Sequence, residues 1–266
     1  MRRYWLPAVA LAALGLWAGG SQGAPDKKDV VTFGALEATS PEEARAKAEA
    51  WLKAVGKTDA ATMQQFQAIW KQPDRTVLDC VADTLALGNA EAAKLLVEAR
   101  DIYTPAPIKV PDILKDAKQS LFFRANLGLA YARSLSNRRV HEEALATLKT
   151  FQAEQVVAPA TYLFTRAVCE HGLLLKQEAS RSIMRLLDEG VASPERYKTV
   201  GALMLLDMQT WKDKDLGAVA RKMDISQRRL DLARGGPQTQ KIQKEIVARL
   251  DELIKELENK AKKGGS

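Results

Sequence analysis

The chain has 266 residues, 46% of them apolar and 27% charged, with a formal net charge of +7. That length and mix suit one large or two small packed domains and exclude global disorder. The positive charge is scattered, with one small cluster at Lys260, Lys262 and Lys263 and no basic stripe interleaved with aromatics, so no nucleic acid is indicated as a partner.

The first segment, MRRYWLPAVALAALGLWAGGSQGAP, places Arg2 and Arg3 before an apolar stretch from Tyr4 to Ala18 and then small residues. This is the pattern of a secretory signal peptide over 1–23, with cleavage after Gly23 or, alternatively, after Gly20. A retained anchor is the competing reading, but the apolar stretch is short for a bilayer and small residues follow it directly. Cleavage removes both arginines and no acid, lowering the charge from +7 to +5. The mature chain is therefore expected in the periplasm or outside the cell, without stable membrane insertion.

Residues 24–39 read as an extended segment, and 40–101 as a helical bundle. Ser40 is an N-cap, Pro41 a first helical residue and Glu43 the closing member of a capping box. That helix should bury Ala44, Ala48, Trp51, Leu52 and Val55 and stop at Gly56. Thr58 or Asp59 starts the next, with Met63, Phe66, Ile69 and Trp70 on one side. Pro73 opens a third that stops at Gly88, and Asn89 caps a fourth. Turns this short force antiparallel neighbours. Residues 102–111 hold three prolines and are either a lobe boundary or a strap along the surface; Ile102, Tyr103, Ile108 and Val110 predict partial packing, which favours a strap within one body.

Paired helices fill 112–234. Pro159 and Pro194 open first helices 35 residues apart, and Ala144/Ala179 and Leu148/Ile183 repeat at the same spacing. A mid-thirties period of helix pairs indicates a solenoid, because one pair cannot bury its apolar face alone. Gly235 and Pro237 then separate a last amphipathic helix over 235–260, followed by a tail at 261–266. Ile246, Leu250, Leu253 and Leu257 form its stripe, which Ile242 and Ile254 widen. Leu216, Val219, Met223 and Leu230 form a matching stripe on its predecessor, so the two should fold as a hairpin. Only about two heptads are present, and a helix of this length is marginal alone. An intramolecular cap on the solenoid is favoured over a dimerising element, which keeps a monomer ahead of a homodimer.

Residues 121–151 resemble a tetratricopeptide repeat: Leu127, Gly128 and Tyr131 match its first helix, and Ala144 and Phe151 its second. Arg124 stands where the motif has tryptophan, and the turn SLSNRRVH is longer than the motif's. The following pair keeps Ala167 and Ala179 only, so the likeness covers about 120–225. By this resemblance Asn126, Arg133 and Thr161 would line a partner groove. The chain as a whole is similar to a family of exported bacterial helical proteins with such repeats. The resemblance lies in VLDCVADTLALG, RANLGLAYARSLSNRRVHEEAL, PERYKTVGALMLLDMQTWKDKDLG and RRLDLARGGPQTQKIQKEIVARLDELIKE, and it implies fold and export but no activity.

Motifs for chemistry are few. Cys80 shares a helical face with Val77, Val81 and Thr84, and Cys169 with Arg166 and Leu173, so two buried thiols compete with a Cys80–Cys169 staple. His171 follows Cys169 and Glu170, but residues two apart on a helix face different ways. His141 lies among charged residues in a turn. The sequence has no CxxC, HExxH, G-x-S-x-G or phosphate loop, so neither metal nor cofactor is called for. Glu170, Glu178 and Glu195 are catalytic candidates only by being acidic. The expected fold is all-α: a right-handed stack of antiparallel helix pairs, a tetratricopeptide-like solenoid closed by a C-terminal hairpin. The expected function is a non-enzymatic protein-binding scaffold or adaptor in the cell envelope. A glycan-acting envelope enzyme or its accessory subunit, and a structural protein self-assembling through the hairpin, are the alternatives.

Overall fold

The computed structural model describes residues 36–190 and 193–264. The signal peptide expected at 1–23 and most of the segment 24–39 lie outside them. Among the described residues every extended element is helical, apart from an isolated parallel bridge between Leu36 and Gly190. With Thr39 N–H donating to Val157 O at 3.1 Å, that bridge lays residues 36–39 on the body.

Local chemistry sets the first helices. In α1 (Pro41–Ala54) Ser40 Oγ accepts from Glu43 N–H at 3.2 Å, and Gly56 at φ +77° ends the element. Ala44, Ala48, Trp51 and Leu52 are buried, but Val55 caps the C-terminus and is exposed. Asp59 caps α2 (Ala60–Lys71), which buries Phe66. α3 (Val77–Gly88) starts later than Pro73 suggested. Asp74 takes a left-handed conformation, φ +60°, and Thr76 Oγ1 accepts from Asp79 N–H instead. A Cβ on Gly88 would sit 2.5 Å from the Trp51 ring, so glycine is what lets α1 lie against α3. Asn89 caps α4 (Ala90–Arg100).

The strap differs from expectation. Ile102, Tyr103 and Ile108 are strongly exposed, and of the four apolar residues only Val110 is buried. Polar contacts at Thr104 and Pro107 hold the strap instead, and Arg138 ties it to the end of α4. Arg138 donates to the carbonyls of Glu98, Ala99 and Thr104, and Arg234 donates to Pro107 O at 2.7 Å. A single 3-10 turn at Asp112–Leu114 follows and buries Ile113 and Leu114.

Six further helices complete the body and one ends the chain: α5 (Leu121–Asn137), α6 (His141–Leu148), α7 (Pro159–Gly172), α8 (Lys176–Asp188), α9 (Glu195–Gln209), α10 (Leu216–Asp231) and α11 (Pro237–Gly264). Neighbours in sequence pack from α5 through α9. α5 also meets α7, and α7 meets α9. α5 runs through Asn137, so the turn to α6 is three residues, shorter than the sequence suggested. That turn recurs 35 residues on. Arg139 at φ +61° precedes Val140 at φ −85°, and Leu174 at φ +59° precedes Leu175 at φ −83°. Val140 N–H and Leu175 N–H each donate five residues back, to Leu135 O and Glu170 O. No glycine marks either turn, which hid the repeat from turn signals.

Ala233, at φ +58°, ends α10 in the same left-handed conformation and is exposed. An L side chain there is strained by about 1–2 kcal/mol, part of which glycine's larger unfolded-state entropy cancels. Ala233→Gly should therefore raise the urea unfolding free energy by about 0.5–1 kcal/mol.

One continuous core runs from Leu36 to Leu186, and a small second cluster joins Ala167, Ala179, Ile183 and Met208. Among the described residues beyond Leu186 the buried hydrophobic side chains are Met208, Val219 and Ile246. The apolar interior thins toward the C-terminus while the helices continue.

Candidate functional site

The side chains singled out by sequence have defined fates. Asn126 is fully buried: its Nδ2 donates to Phe122 O and its Oδ1 accepts from Val157 N–H, both at 2.8 Å. It therefore ties α5 to the segment before α7 and does not line a groove. Arg133 pairs with Asp79 and ties α5 to α3. Thr161 is half-buried in the first turn of α7. Cys80 and Cys169 are both buried free thiols, so the staple is not formed. Burial pushes the Cys169 thiol up to about 12, away from reactivity.

Three consecutive residues of α7 face three ways. Cys169 points into the core. Glu170 is fully buried, accepting from Arg166 Nε at 2.8 Å and Ser182 Oγ at 2.6 Å. His171 Nε2 lies 3.0 Å from Asp207 Oδ2, which also accepts from Trp211 Nε1 at 3.0 Å, and Arg221 stacks over the Trp211 ring. This cluster pins the end of α9 to α7. Glu178 is half-buried and Glu195 exposed, each in a first helical turn. Among the described residues no three His, Cys, Asp or Glu side chains gather as metal ligands would.

The site that sequence reasoning missed joins α10 to the body. Glu142 and Glu143 read as acids favoured by a helix N-terminus, and they do stand in the first turn of α6. Arg228 and Arg229 at the end of α10 and Arg234 in the turn after it converge on them. Arg228 grips Glu142 with both terminal nitrogens, at 2.7 and 2.9 Å, and also donates to Arg139 O. Arg229 reaches Glu142 at 2.7 Å, and Arg234 reaches Glu143 at 2.9 Å. Arg228 and Arg229 are both buried. Burial raises the Glu142 carboxyl, but the bonds and charges of Arg228 and Arg229 outweigh it and bring it down to about 2. His141 beside them is buried, and burial with Arg228 brings it down to about 4, so it stays neutral. Its Nδ1 and Arg228 Nε have no hydrogen-bond partner among the described residues. The signal in the sequence is RRLDLAR: three arginines where a surface helix would as readily use lysine, suited to bidentate burial.

This joint fixes the rotation of α10. Val219, Ser226, Arg228 and Arg229 turn inward, and Lys222–Glu245, Ser226–Gln243 and Arg229–Thr239 contacts pair α10 with α11. The expected apolar seam of α10 is consequently turned out: Leu216, Met223 and Leu230 are 66%, 53% and 49% exposed, and only Val219 of that stripe is buried. On α11, Ile246 is buried and Ile242, Leu250 and Leu253 are half-buried, whereas Leu257 is 64% exposed. The hairpin forms, but through a largely polar seam. Val200, Leu203 and Leu206 form another exposed stripe on α9. No helix of the described residues is long and apolar enough to cross a membrane.

The chain matches no protein-family model, no curated protein and no solved structure.

Proposed function

We propose that the chain is an exported, non-enzymatic helical-repeat protein that binds another protein in the cell envelope as a scaffold. The N-terminal sequence supports export. The matching left-handed turns at Arg139 and Leu174 support reading α5–α8 as two tetratricopeptide-like pairs stacked in a right-handed solenoid. So do Ala144, Leu148, Ala179 and Ile183, fully buried at matching positions, and Gly128, whose Cβ would meet the Phe151 ring at 2.7 Å. The hairpin of α10 and α11 closes that stack.

The observation that carries the reading is the rotation of α10. Burying a large aliphatic side chain stabilises by about 1.5–3 kcal/mol, and three on one stripe face solvent. Large apolar side chains aligned along one exposed helix face suit a partner that covers them. The test is crosslinked capture from the native envelope with the wild-type chain and with a Met223→Asp/Leu230→Asp variant. Both positions are exposed, so the fold should be kept and partner recovery should fall at least about tenfold. Equal recovery of the same partner by the folded variant would remove α10 as the binding face.

A further inference from the structure

We infer that the last turns of α11 are a self-association element that pairs antiparallel with the same segment of a second copy of this chain. The inference stands apart from the envelope partner proposed above. α11 has 28 residues and α10 has 16. Arg249 Nε donates to Lys214 O at 2.9 Å, which puts residue 249 level with the residues just before α10. Leu253 lies in the groove beside Lys212–Asp215, and every residue from Ile254 to Lys263 is exposed. The helix thus runs about 15 Å past its hairpin partner. A helical end of that length is marginal by itself in water.

The overhang is not a uniformly polar cap. Val247, Leu250, Ile254, Leu257 and Ala261 follow 3-4-3-4 spacing, a second seam beside the one that faces α10. Val247, Ile254 and Leu257 are each more than half exposed. Charge selects the occupant and its direction. Residues 251–258 carry four acids and one lysine, and residues 259–264 carry three lysines and no acid. Two parallel copies would set −3 against −3 and +3 against +3. Two antiparallel copies set the acidic half of each against the basic half of the other, and the helix dipoles also oppose. With Ile254 opposite Leu257 of the second copy, Leu250 faces Ala261. Two heptads are short, so the dimer should dissociate on dilution around micromolar concentration.

Sedimentation equilibrium of the purified chain should show a reversible monomer–dimer equilibrium. Asp251→Lys/Glu258→Lys makes both halves of the overhang basic, and Lys260→Glu/Lys262→Glu makes both acidic. Each variant alone should be monomeric, with unchanged circular dichroism because Asp251, Glu258, Lys260 and Lys262 are all exposed, and the two mixed should dimerise again. A Leu250→Cys copy should crosslink to an Ala261→Cys copy and neither to itself. A wild-type monomer at every concentration, dimers that persist in both charge-reversed variants, or Leu250→Cys self-crosslinking would each overturn the inference.

Discussion

Glu142→Ala is expected to cost about 3–5 kcal/mol, because it leaves Arg228 and Arg229 buried without their carboxylate. Arg234 keeps Glu143 and is affected less. The loss should appear first as detachment of the α10–α11 hairpin. That hairpin meets the body mainly through this joint, Leu232 and the Trp211 cluster. Hydrogen exchange should accelerate throughout α10 and the first half of α11 while α5 and α7 stay protected, and proteolysis should move to the turn at 232–236. Uniform acceleration over all helices would mean that the hairpin and body unfold together.

The same joint sets the response to acid. Glu142 falls from its ordinary 4.5 to about 2 on folding, so its contribution is present above pH 4.5 and is lost as pH falls through 2. His141 falls from 6.5 to about 4. The unfolded chain takes up that proton first, so stability declines from pH 6.5 down to 4 and the histidine's effect is then complete. The groups facing His141 are Arg228, Glu142, Arg139 and His171, so protonation adds a cation beside two arginines. The combined profile is a two-step loss of a few kcal/mol on acidification. His141→Gln should abolish the upper step and leave the lower one.

What could be read from sequence, and what could not, follows from the range of the forces involved. N-caps at Ser40, Asp59 and Asn89 act within one turn, so they were legible residue by residue. The core stripes at Ala44–Leu52 and Ala144–Leu148 obey helical period and were legible as well. The strap failed because two of its carbonyls, Thr104 O and Pro107 O, are bonded to distant arginines, Arg138 and Arg234, and these contacts set its course over the apolar side chains beside them. The α10 seam failed for the same reason on a larger scale. Periodicity puts Leu216, Met223 and Leu230 inward, but Arg228 and Arg229 have a carboxylate more than eighty residues away, and satisfying it turns the stripe out. Asn126 misled in the opposite direction: a polar residue on a repeat-like helix suggested a groove, and it serves a backbone N–H thirty-one residues on. Long-range polar pairing leaves no period in the sequence, and the outward-facing apolar residues of α10 are a consequence of it.

Arg166→Met is the second substitution with a large expected effect, about 3–5 kcal/mol, and it separates two readings of Glu170. Glu170 is the most buried of the three carboxylates that a glycan-acting enzyme could use. Its two oxygens are each engaged, one by Arg166 Nε and one by Ser182 Oγ, and Arg166 also donates to the Tyr162 hydroxyl at 3.2 Å. Tyr162 in turn shares its hydroxyl proton between Leu148 O and Phe151 O, so the chain of bonds ties α7 to α8 and to the end of α6. Removing Arg166 strands a charge in the interior. Removing both charges should be far cheaper, because a neutral residue needs no counterion. Arg166→Met/Glu170→Gln should regain most of the loss, since the side-chain amide it introduces can still accept from the Ser182 hydroxyl. Urea denaturation of the single and double variants measures the coupling. A coupling of about 2 kcal/mol or more fits a carboxylate that joins helices. If Glu170→Gln alone is neutral and the double variant is no better than Arg166→Met, the pair does not hold α7 to α8, and Glu170 is left free for a role in chemistry.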